Sequence, residues 1–271
     1  MKQSLKSTIP TPMLQFARNT YDAIRRVPQL PSAYLHPWRR ESIRRLAALK
    51  DIHKGQRAFI IGNGPSLKQT DLTKLKNEFT FGMNRIYLLF PELGFSTTYF
   101  CSINDLVIEQ FSADILALPM PKFLAWRSHR HFNPQLLINQ VPTFIYTTYT
   151  GPRFTPDVRG RVWEGATVTN LALQLAFHMG FEQVILIGVD HNFTSKGDAN
   201  KTVVSQGDDP NHFAPNYFAK GFKWQLPDLD TSEIGYTFAS DAYQQAGRKV
   251  VDATVGGKLT TFPKVDYDSL F

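Results

Sequence analysis

The feature that most constrains this chain is a regular alternation of short apolar runs and helix-like stretches that begins at residue 57. In the clearest unit, residues 166–188, an apolar helical stretch ends at Gly180 and the apolar run 183–188 follows. Such alternation predicts an α/β fold: a Rossmann-like, doubly wound and mostly parallel sheet with helices on both faces. The predicted strands are 57–62, 80–83, 98–102, 122–126, 142–146, 183–188 and 249–252, and the predicted helices include 71–76, 166–179 and 231–246.

Polar residues stand at the ends of most of these apolar runs. In doubly wound sheets the ligand binds outside the carboxyl ends of the strands, so residues in these positions are candidates for one shared site. They are Asn63, Ser66, Asn84, Asn104, Asp105, Asp190 and His191. The sequence therefore predicts a single nucleotide-binding domain with its site at one edge of the sheet.

The first run ends in the turn Gly62-Asn-Gly-Pro-Ser66, which carries two glycines. Glycine lets a backbone approach a phosphate closely, and amides at the start of a helix can point at an anion. The turn is not a Walker A loop, since no Gly-Lys-Ser/Thr follows, and it is not a G-x-G-x-x-G motif, since Leu occupies position 67. Its place after a strand favours a nucleotide site, and a purely structural turn is the alternative.

A second motif, Gly188-Val-Asp-His-Asn192, ends the 183–188 run. An acid and an imidazole there can hold a ribose, a metal ion or a pyrophosphate, and a loop capped by Asp190 is the structural alternative. The polar stretch from about 192 to 227 is long for a structureless loop, which is typical of a lid that excludes water. His212 is the only histidine in this lid, and an imidazole is suited to general base catalysis near neutral pH.

The last motif and the single cysteine give less information about the site than the two glycine motifs and the lid. Residues 253–259 carry two glycines and a lysine after the final predicted strand, which fits either a phosphate contact or a plain tight turn. A single cysteine excludes an internal disulfide and a cysteine-rich zinc site.

Positive charge is concentrated at the N-terminus. Residues 1–57 hold 12 Lys and Arg against three acids, whereas the remaining 214 residues hold 18 against 20. We therefore divide the chain into a basic helical extension, 1–56, and a main domain, 57–271. In the extension, two amphipathic helical stretches flank a Pro-rich break at 28–37. Basic helices with aromatic residues suit an anionic membrane surface, and simple packing on the main domain is the alternative.

The sequence also bears on membrane insertion, secretion, nucleic-acid binding and oligomerisation. No window approaches 18 consecutive apolar residues, which excludes a transmembrane helix, and the start lacks the apolar core of a secretory signal. We expect a cytoplasmic protein that is peripheral on the inner face of the membrane where the extension binds. Nucleic-acid binding is not expected, because the main domain has no basic surplus. The aromatic-rich extension is also a candidate surface for a partner, including a homo-oligomer.

The sequence resembles the bacterial sialyltransferases of glycosyltransferase family 42 in three runs that occur in matching order. These are Phe-Ile-Ile-Gly-Asn-Gly-Pro-Ser-Leu (59–67), Phe-Gly-Met-Asn-Arg (81–85) and Gly-Phe-Glu-Gln-Val-Ile-Leu-Ile-Gly-Val-Asp (180–190). It also resembles the wider domain of Maf flagellin glycosyltransferases and archaeal hydroxymethyl-dihydropterin diphosphokinases, to which 211–218 and 253–259 are most similar. The resemblance covers about 57–271 and implies a GT-A-like variant of the Rossmann-like fold.

The resemblance also implies roles for individual residues. His212 would be the catalytic base, and no metal or other cofactor would be needed besides the nucleotide-sugar donor. The family supports the leaving phosphate with a pair of tyrosines after Gly-x-Asp; this chain has His191 and Asn192 there, which become the candidates for that role. The nucleotide-binding residues would be Gly62, Asn63, Gly64, Ser66, Asn84, Asn104, Thr167, Gly188 and Asp190.

The sequence therefore leaves three alternative functions open. The first is a metal-independent glycosyltransferase that uses a CMP-activated acidic sugar of the sialic or nonulosonic type and a glycan or lipid-linked acceptor in the cell envelope. The second is a Mg-dependent diphosphokinase that moves pyrophosphate from ATP to a small alcohol such as a hydroxymethylpterin, with Asp190 and Asp105 as metal ligands. The third is a non-catalytic nucleotide-binding module, against which the polar lid weighs.

Overall fold

The computed structural model describes residues 11–137, 141–194 and 197–271, and in these ranges eight strands form one parallel sheet. Neighbouring strands in it are hydrogen-bonded in the spatial order β10-β7-β1-β2-β3-β4-β5-β6, and a separate antiparallel pair joins β8 to β9. The strands are β1 Arg57–Ile61, β2 Phe79–Met83, β3 Tyr99–Ser102, β4 Lys122–Ala125, β5 Thr143–Thr148, β6 Arg161–Trp163, β7 Gln183–Ile187, β8 Thr202–Val204, β9 Lys223–Gln225 and β10 Lys249–Asp252. The predicted Rossmann-like, doubly wound fold is confirmed.

Seven α-helices are described around the sheet. The ends of α6 show how local residues set the helix bounds. The helix starts after Thr167, whose side chain accepts a hydrogen bond from the Thr169 amide, and it ends at Gly180, which has a φ of 94°. None of the described helices is long and apolar enough to cross a bilayer. The helices are α1 Thr11–Arg26, α2 Leu30–Leu35, α3 Pro37–Ala48, α4 Phe90–Leu93, α5 Asp105–Ala117, α6 Val168–Met179 and α7 Leu229–Gln245.

Both faces of the sheet are buried. Along β1, Ala58 and Ile60 point into one apolar core and Phe59 and Ile61 into the other, as the two-residue period of a strand requires. Helices α3, α6 and α7 cover the first face, whereas α5 covers the second. This two-sided burial explains the unbroken apolar runs in the sequence.

The strand order places a switch point between β1 and β7. From β1 the chain builds β2 to β6 outward on one side, and it then returns through α6 to place β7 on the other side of β1. Loops after β1 and β7 leave the sheet in opposite directions at such a point and open a crevice between them. The two glycine motifs of the sequence follow these two strands.

The structure differs from the sequence-based expectation in several elements. The Pro-rich stretch 28–37 is mostly helical, because Pro28, Pro31 and Pro37 occupy the first turn of successive short helices, where the missing amide costs nothing. The predicted structureless lid contains the hairpin β8–β9. Strand β6 and helix α5 were not predicted, since β6 has three residues and α5 is apolar on more than one face.

The predicted N-terminal extension is described from residue 11 onward. Its helix α3 packs closely on the sheet: Leu46 is fully buried, and the Ser42 hydroxyl accepts a hydrogen bond from the Phe144 amide at 2.9 Å. Residues 1–10 of the extension and 195–196 of the lid lie outside the described residues. The division at 56/57 stays a prediction.

Candidate functional site

A cleft runs along the carboxyl ends of the strands and is bordered by the lid. Of the thirteen site residues predicted from the sequence, eleven line it. The other two are Ser66, which is buried behind the cleft wall, and Asp105, which begins α5 and is not among the lining residues. The lining residues from the prediction are Gly62, Asn63, Gly64, Asn84, Asn104, Thr167, Gly188, Asp190, His191, Asn192 and His212.

The two glycine turns need glycine because they pack against each other. A Cβ on Gly62 would lie 2.1 Å from the Gly188 carbonyl oxygen, and one on Gly64 would lie 1.7 Å from Asp190 Oδ2. The amides of Gly62 and Gly64 donate to the carbonyls of Ile187 and Gly188 at 2.8 and 2.9 Å. These amides therefore bind protein, whereas the sequence suggested that amides of this loop point at a phosphate.

Asp190 holds the first glycine turn in place. Its Oδ1 accepts from the Ser66 amide at 3.1 Å and its Oδ2 from the Ser66 hydroxyl at 2.7 Å. Burial raises the pKa of Asp190, and the hydrogen bonds from Ser66 oppose that shift. The Asp190–Ser66 pair thus links the β7 loop to the β1 loop across the switch point.

Not every polar side chain at the strand ends is free for a ligand. Asn104 caps α5, since its Oδ1 accepts from the Leu106 amide at 3.0 Å, and Thr167 caps α6. Asn84, with a φ of 51°, accepts from the Ser102 hydroxyl at 2.9 Å. By contrast, the amide oxygen of Asn63 is buried and has no hydrogen-bond partner among the described residues, which leaves an acceptor for a bound ligand.

His212 forms a dyad with Asp209. Its Nδ1 lies 2.7 Å from Asp209 Oδ2, and its ring stacks on Tyr217 with centroids 4.0 Å apart and parallel planes. An ionised carboxylate only accepts, so Asp209 fixes the proton on Nδ1 and leaves the lone pair on Nε2. The arrangement suits His212 for taking a proton from a molecule in the cleft.

The lid segment that carries His212 is anchored on both sides of the dyad. The Phe213 amide donates to the carbonyl of Asn63 at 2.9 Å, which ties the lid to the glycine turn. The Arg85 amide donates to the Tyr217 hydroxyl at 3.1 Å, and the Arg85 guanidinium donates to the Tyr217 carbonyl and lies over the Phe111 ring. The imidazole is therefore held over the cleft by contacts outside its own loop.

The two residues proposed to replace the tyrosine pair differ in their surroundings. His191, with a φ of 51°, has its Nε2 3.0 Å from Glu233 Oε1 on α7. Asn192 is exposed in the cleft mouth.

The far end of the cleft holds a buried ion pair that the sequence analysis missed. Arg127 makes a two-pronged contact with Glu164 and donates to the Ile103 carbonyl at 2.7 Å. Burial lowers the pKa of Arg127, but Glu164, Tyr149 and Asp105 together outweigh burial, so the pKa of Arg127 is raised. Tyr149 closes this end, with the Arg127 guanidinium 5.3 Å from its ring centre. Glu164 directly follows β6, so recognising that short strand would have identified it.

Motif 253–259 has a structural part in the site. The Thr254 hydroxyl accepts from the Val189 amide at 3.2 Å, and the Lys258 amide donates to the Asp190 carbonyl at 2.8 Å. These bonds support the β7 loop from behind, as the tight-turn alternative expected. Across the described ranges, no three His, Cys, Asp or Glu side chains form a group that could hold a metal ion.

Comparison with solved structures identifies distant neighbours. A Maf glycosyltransferase from Magnetospirillum magneticum AMB-1 aligns with 97% of this chain at 15% identity and a TM-score of 0.47, and the chain spans 43% of its length. The sialyltransferase CstII from Campylobacter jejuni, in complexes with cytidine-5'-monophosphate and with CMP-3FNeuAc, aligns with 78% at 15% identity and a TM-score of 0.42, covering 85% and 86% of those chains. At such distances these likenesses say nothing of this chain's substrate.

Comparison with protein families is more specific. A search of curated proteins gives no match. The family described as 6-hydroxymethylpterin diphosphokinase MptE-like matches residues 39–196, which begins inside α3 and so extends further towards the N-terminus than the motifs suggested. Because this match covers more than half of the chain, the chain belongs to the 6-hydroxymethylpterin diphosphokinase MptE-like family.

Proposed function

We propose that this protein is a glycosyltransferase that transfers an acidic sugar of the sialic or nonulosonic type from a CMP-activated donor to a hydroxyl of a cell-envelope glycan or glycolipid. The observation that carries the proposal is the His212–Asp209 dyad, held above the cleft with Nε2 unengaged by Asp209. An oriented imidazole is the group that a transfer to a hydroxyl needs as a general base.

The proposed transfer forms one bond, breaks one bond and moves one proton. The acceptor oxygen attacks the anomeric carbon of the donor sugar, forming the new glycosidic C–O bond. The bond from that carbon to the phosphate oxygen of CMP breaks, and its electron pair leaves with CMP. The acceptor proton passes to His212 Nε2, and Asp209 stabilises the imidazolium that results.

The nucleotide half of the donor fits the switch-point end of the cleft. There the amide oxygen of Asn63, which has no partner in the part of the chain that the structure describes, can accept from a nucleobase amine or a ribose hydroxyl. His191 and Asn192 would stabilise the leaving phosphate, since the glycine-turn amides already bind protein. The acceptor would then occupy the opposite end, near Arg127 and Tyr149.

The family description favours a second candidate, the Mg-dependent transfer of pyrophosphate from ATP. That chemistry uses carboxylates to hold magnesium between phosphates. The two candidates for this role are already engaged: Asp190 binds Ser66, and Asp105 accepts from Ser128 at 2.7 Å and pairs with Arg130 and His131. Each carboxylate would have to give up these bonds, so we place the diphosphokinase second.

The direct test measures CMP release from CMP-sialic acid in the presence of EDTA, with the purified chain and a His212→Ala variant. We expect release by the wild type and a loss of about 10²–10⁴-fold in His212→Ala. Asn216→Ala, an exposed side chain in the same lid segment, is the matched control and should retain activity. Full turnover by His212→Ala would remove the proposed base. AMP release from ATP that requires both magnesium and a hydroxymethylpterin, with no CMP release from CMP-sialic acid, would establish the second candidate.

A further inference from the structure

Helix α1 binds the rest of the protein through its polar face. Gln15 Nε2 and Asn19 Nδ2 both donate to the Gly151 carbonyl, at 2.9 and 2.7 Å, and Asp22 accepts from the Thr150 hydroxyl. Arg26 pairs with Asp22 and donates to the Thr147 carbonyl at 2.6 Å. An amphipathic helix on a globular protein ordinarily buries its apolar side, so α1 is the reverse of the usual arrangement.

The opposite side of α1 is apolar and exposed. Phe16 is 74% exposed, Ile24 65% and Met13 62%, and Tyr21 shares their side of the helix. Val27, directly after α1, is exposed as well. We call these five residues the outer face of α1. The following helix α2 also exposes Leu35 and Tyr34. Contiguous apolar side chains of this kind, set on a helix, mark a binding surface.

The charge around the outer face indicates which kind of partner this face binds. Arg18 and Arg25 are exposed on α1 beside it, and residues 1–57 carry 12 Lys and Arg against three acids. A second copy of the chain would bring two such basic segments together, which like-charge repulsion disfavours. A surface that is apolar inside and anionic outside satisfies both the apolar face and the arginines, and an acidic bilayer has that composition.

We propose that the outer face of α1 inserts into the headgroup region of an anionic lipid bilayer and holds the protein on the membrane. The helix would lie in the plane of the interface, with Phe16 and Ile24 among the acyl chains and Arg18 and Arg25 at the phosphates. Residues 15, 19, 22 and 26 would remain bound to the body, so docking needs no rearrangement of α1.

This orientation has a consequence for the substrate, which rests on the proposed function. The Tyr149 ring lies between Arg26 of α1, 5.1 Å from its centre, and Arg127 of the cleft, 5.3 Å from its centre. The far end of the cleft therefore opens next to the membrane-docking helix. An acceptor whose hydroxyl is carried on a membrane lipid would reach this end along the side of α1, so we infer a lipid-linked hydroxyl as the acceptor class.

Vesicle flotation tests the docking without any catalytic readout. The full chain is mixed with vesicles of phosphatidylcholine with or without phosphatidylglycerol, at physiological salt, and the bound fraction is measured. We expect binding to the anionic vesicles only, and a loss of at least about tenfold in the double variant Phe16→Ser with Ile24→Ser. The matched control, Ile234→Ser with Phe238→Ser, removes an exposed Ile and Phe from α7 and should float like the wild type.

Each outcome decides the proposal. No flotation with anionic vesicles, or equal losses in both double variants, would overturn it. A wild-type dimer in gel filtration that becomes monomeric in Phe16→Ser with Ile24→Ser would assign the outer face to a second copy instead. The α1 variant should keep its melting temperature and its CMP release from a soluble donor, so failure of docking is separable from failure of the proposed function.

Discussion

At the scale of single residues, the site depends on carboxylates that position other groups. Asp190 uses both oxygens on Ser66, and Asp209 orients His212 while its other oxygen accepts from the Asn211 amide at 3.1 Å. Neither acid is left for direct work on a substrate. The chemistry in the cleft therefore falls to neutral amides and an imidazole.

Replacing Asp209 with Asn should lower kcat by about 10- to 100-fold while leaving nucleotide affinity unchanged, because the imidazole loses its fixed tautomer and orientation. Steady-state kinetics together with CMP titration separate the two effects. Asp208→Asn removes the same charge from the exposed neighbouring position and should behave as the wild type. Equal kinetics in the two variants would show that Asp209 does not position the base.

Gly64→Ala should destabilise the fold by about 1–3 kcal/mol and abolish nucleotide binding, because the new Cβ would collide with Asp190 Oδ2. Thermal unfolding and CMP titration measure both effects. A Cβ on Gly160 meets no atom within 4 Å, and Gly160→Ala should change stability by less than about 1 kcal/mol. A Gly64→Ala protein that binds CMP normally would refute the close packing of the two turns.

At the scale of elements, the lid is held by a side chain that forms the backbone hydrogen bonds a neighbouring strand would form. Gln110 of α5 donates to the Lys223 carbonyl and accepts from the Lys223 amide, both at 2.8 Å, so it pairs with β9 as another strand would. Phe222 packs on Phe111 with centroids 4.9 Å apart. The hairpin β8–β9 is thereby fastened to the main body.

Gln110→Ala should free this hairpin. We expect faster amide hydrogen exchange in 202–204 and 223–225, corresponding to about 1–2 kcal/mol of lost local stability, with the sheet unaffected. Gln244→Ala, an exposed position on α7, is the control and should leave exchange unchanged. Unaltered exchange in Gln110→Ala would mean that other contacts hold the lid.

Which elements could be predicted from the sequence depended on how long each element is and on how regularly its apolar residues recur. Strands such as β1 and β7 are buried on both sides, so their apolar runs and the polar residues after them, Asn63 and Asp190, were identifiable. Strand β6 is too short to give a pattern, so Glu164, which follows it, was missed, and with it the ion pair that Glu164 forms with Arg127. The inward polar face of α1 was also unpredictable, because its partners at 147–151 are distant in sequence.

At the scale of the whole molecule, the cleft joins two surfaces with different chemistry. The switch-point end offers glycine turns and amide side chains, and the other end offers a buried Arg127–Glu164 pair next to α1. A transferase needs such a division, since donor and acceptor must meet with the base between them. We propose that the switch-point end binds a cytidine nucleotide without a metal ion.

The most direct test of that claim is thermal unfolding of the wild-type chain with CMP, CDP, UDP, GDP or ATP, each with magnesium and with EDTA. A ligand at 100 times its dissociation constant adds about 2.7 kcal/mol to the stability of the native state. We predict that CMP raises the melting temperature equally in magnesium and in EDTA. Stabilisation by ATP only with magnesium, and none by CMP, would contradict the account and place the diphosphokinase first.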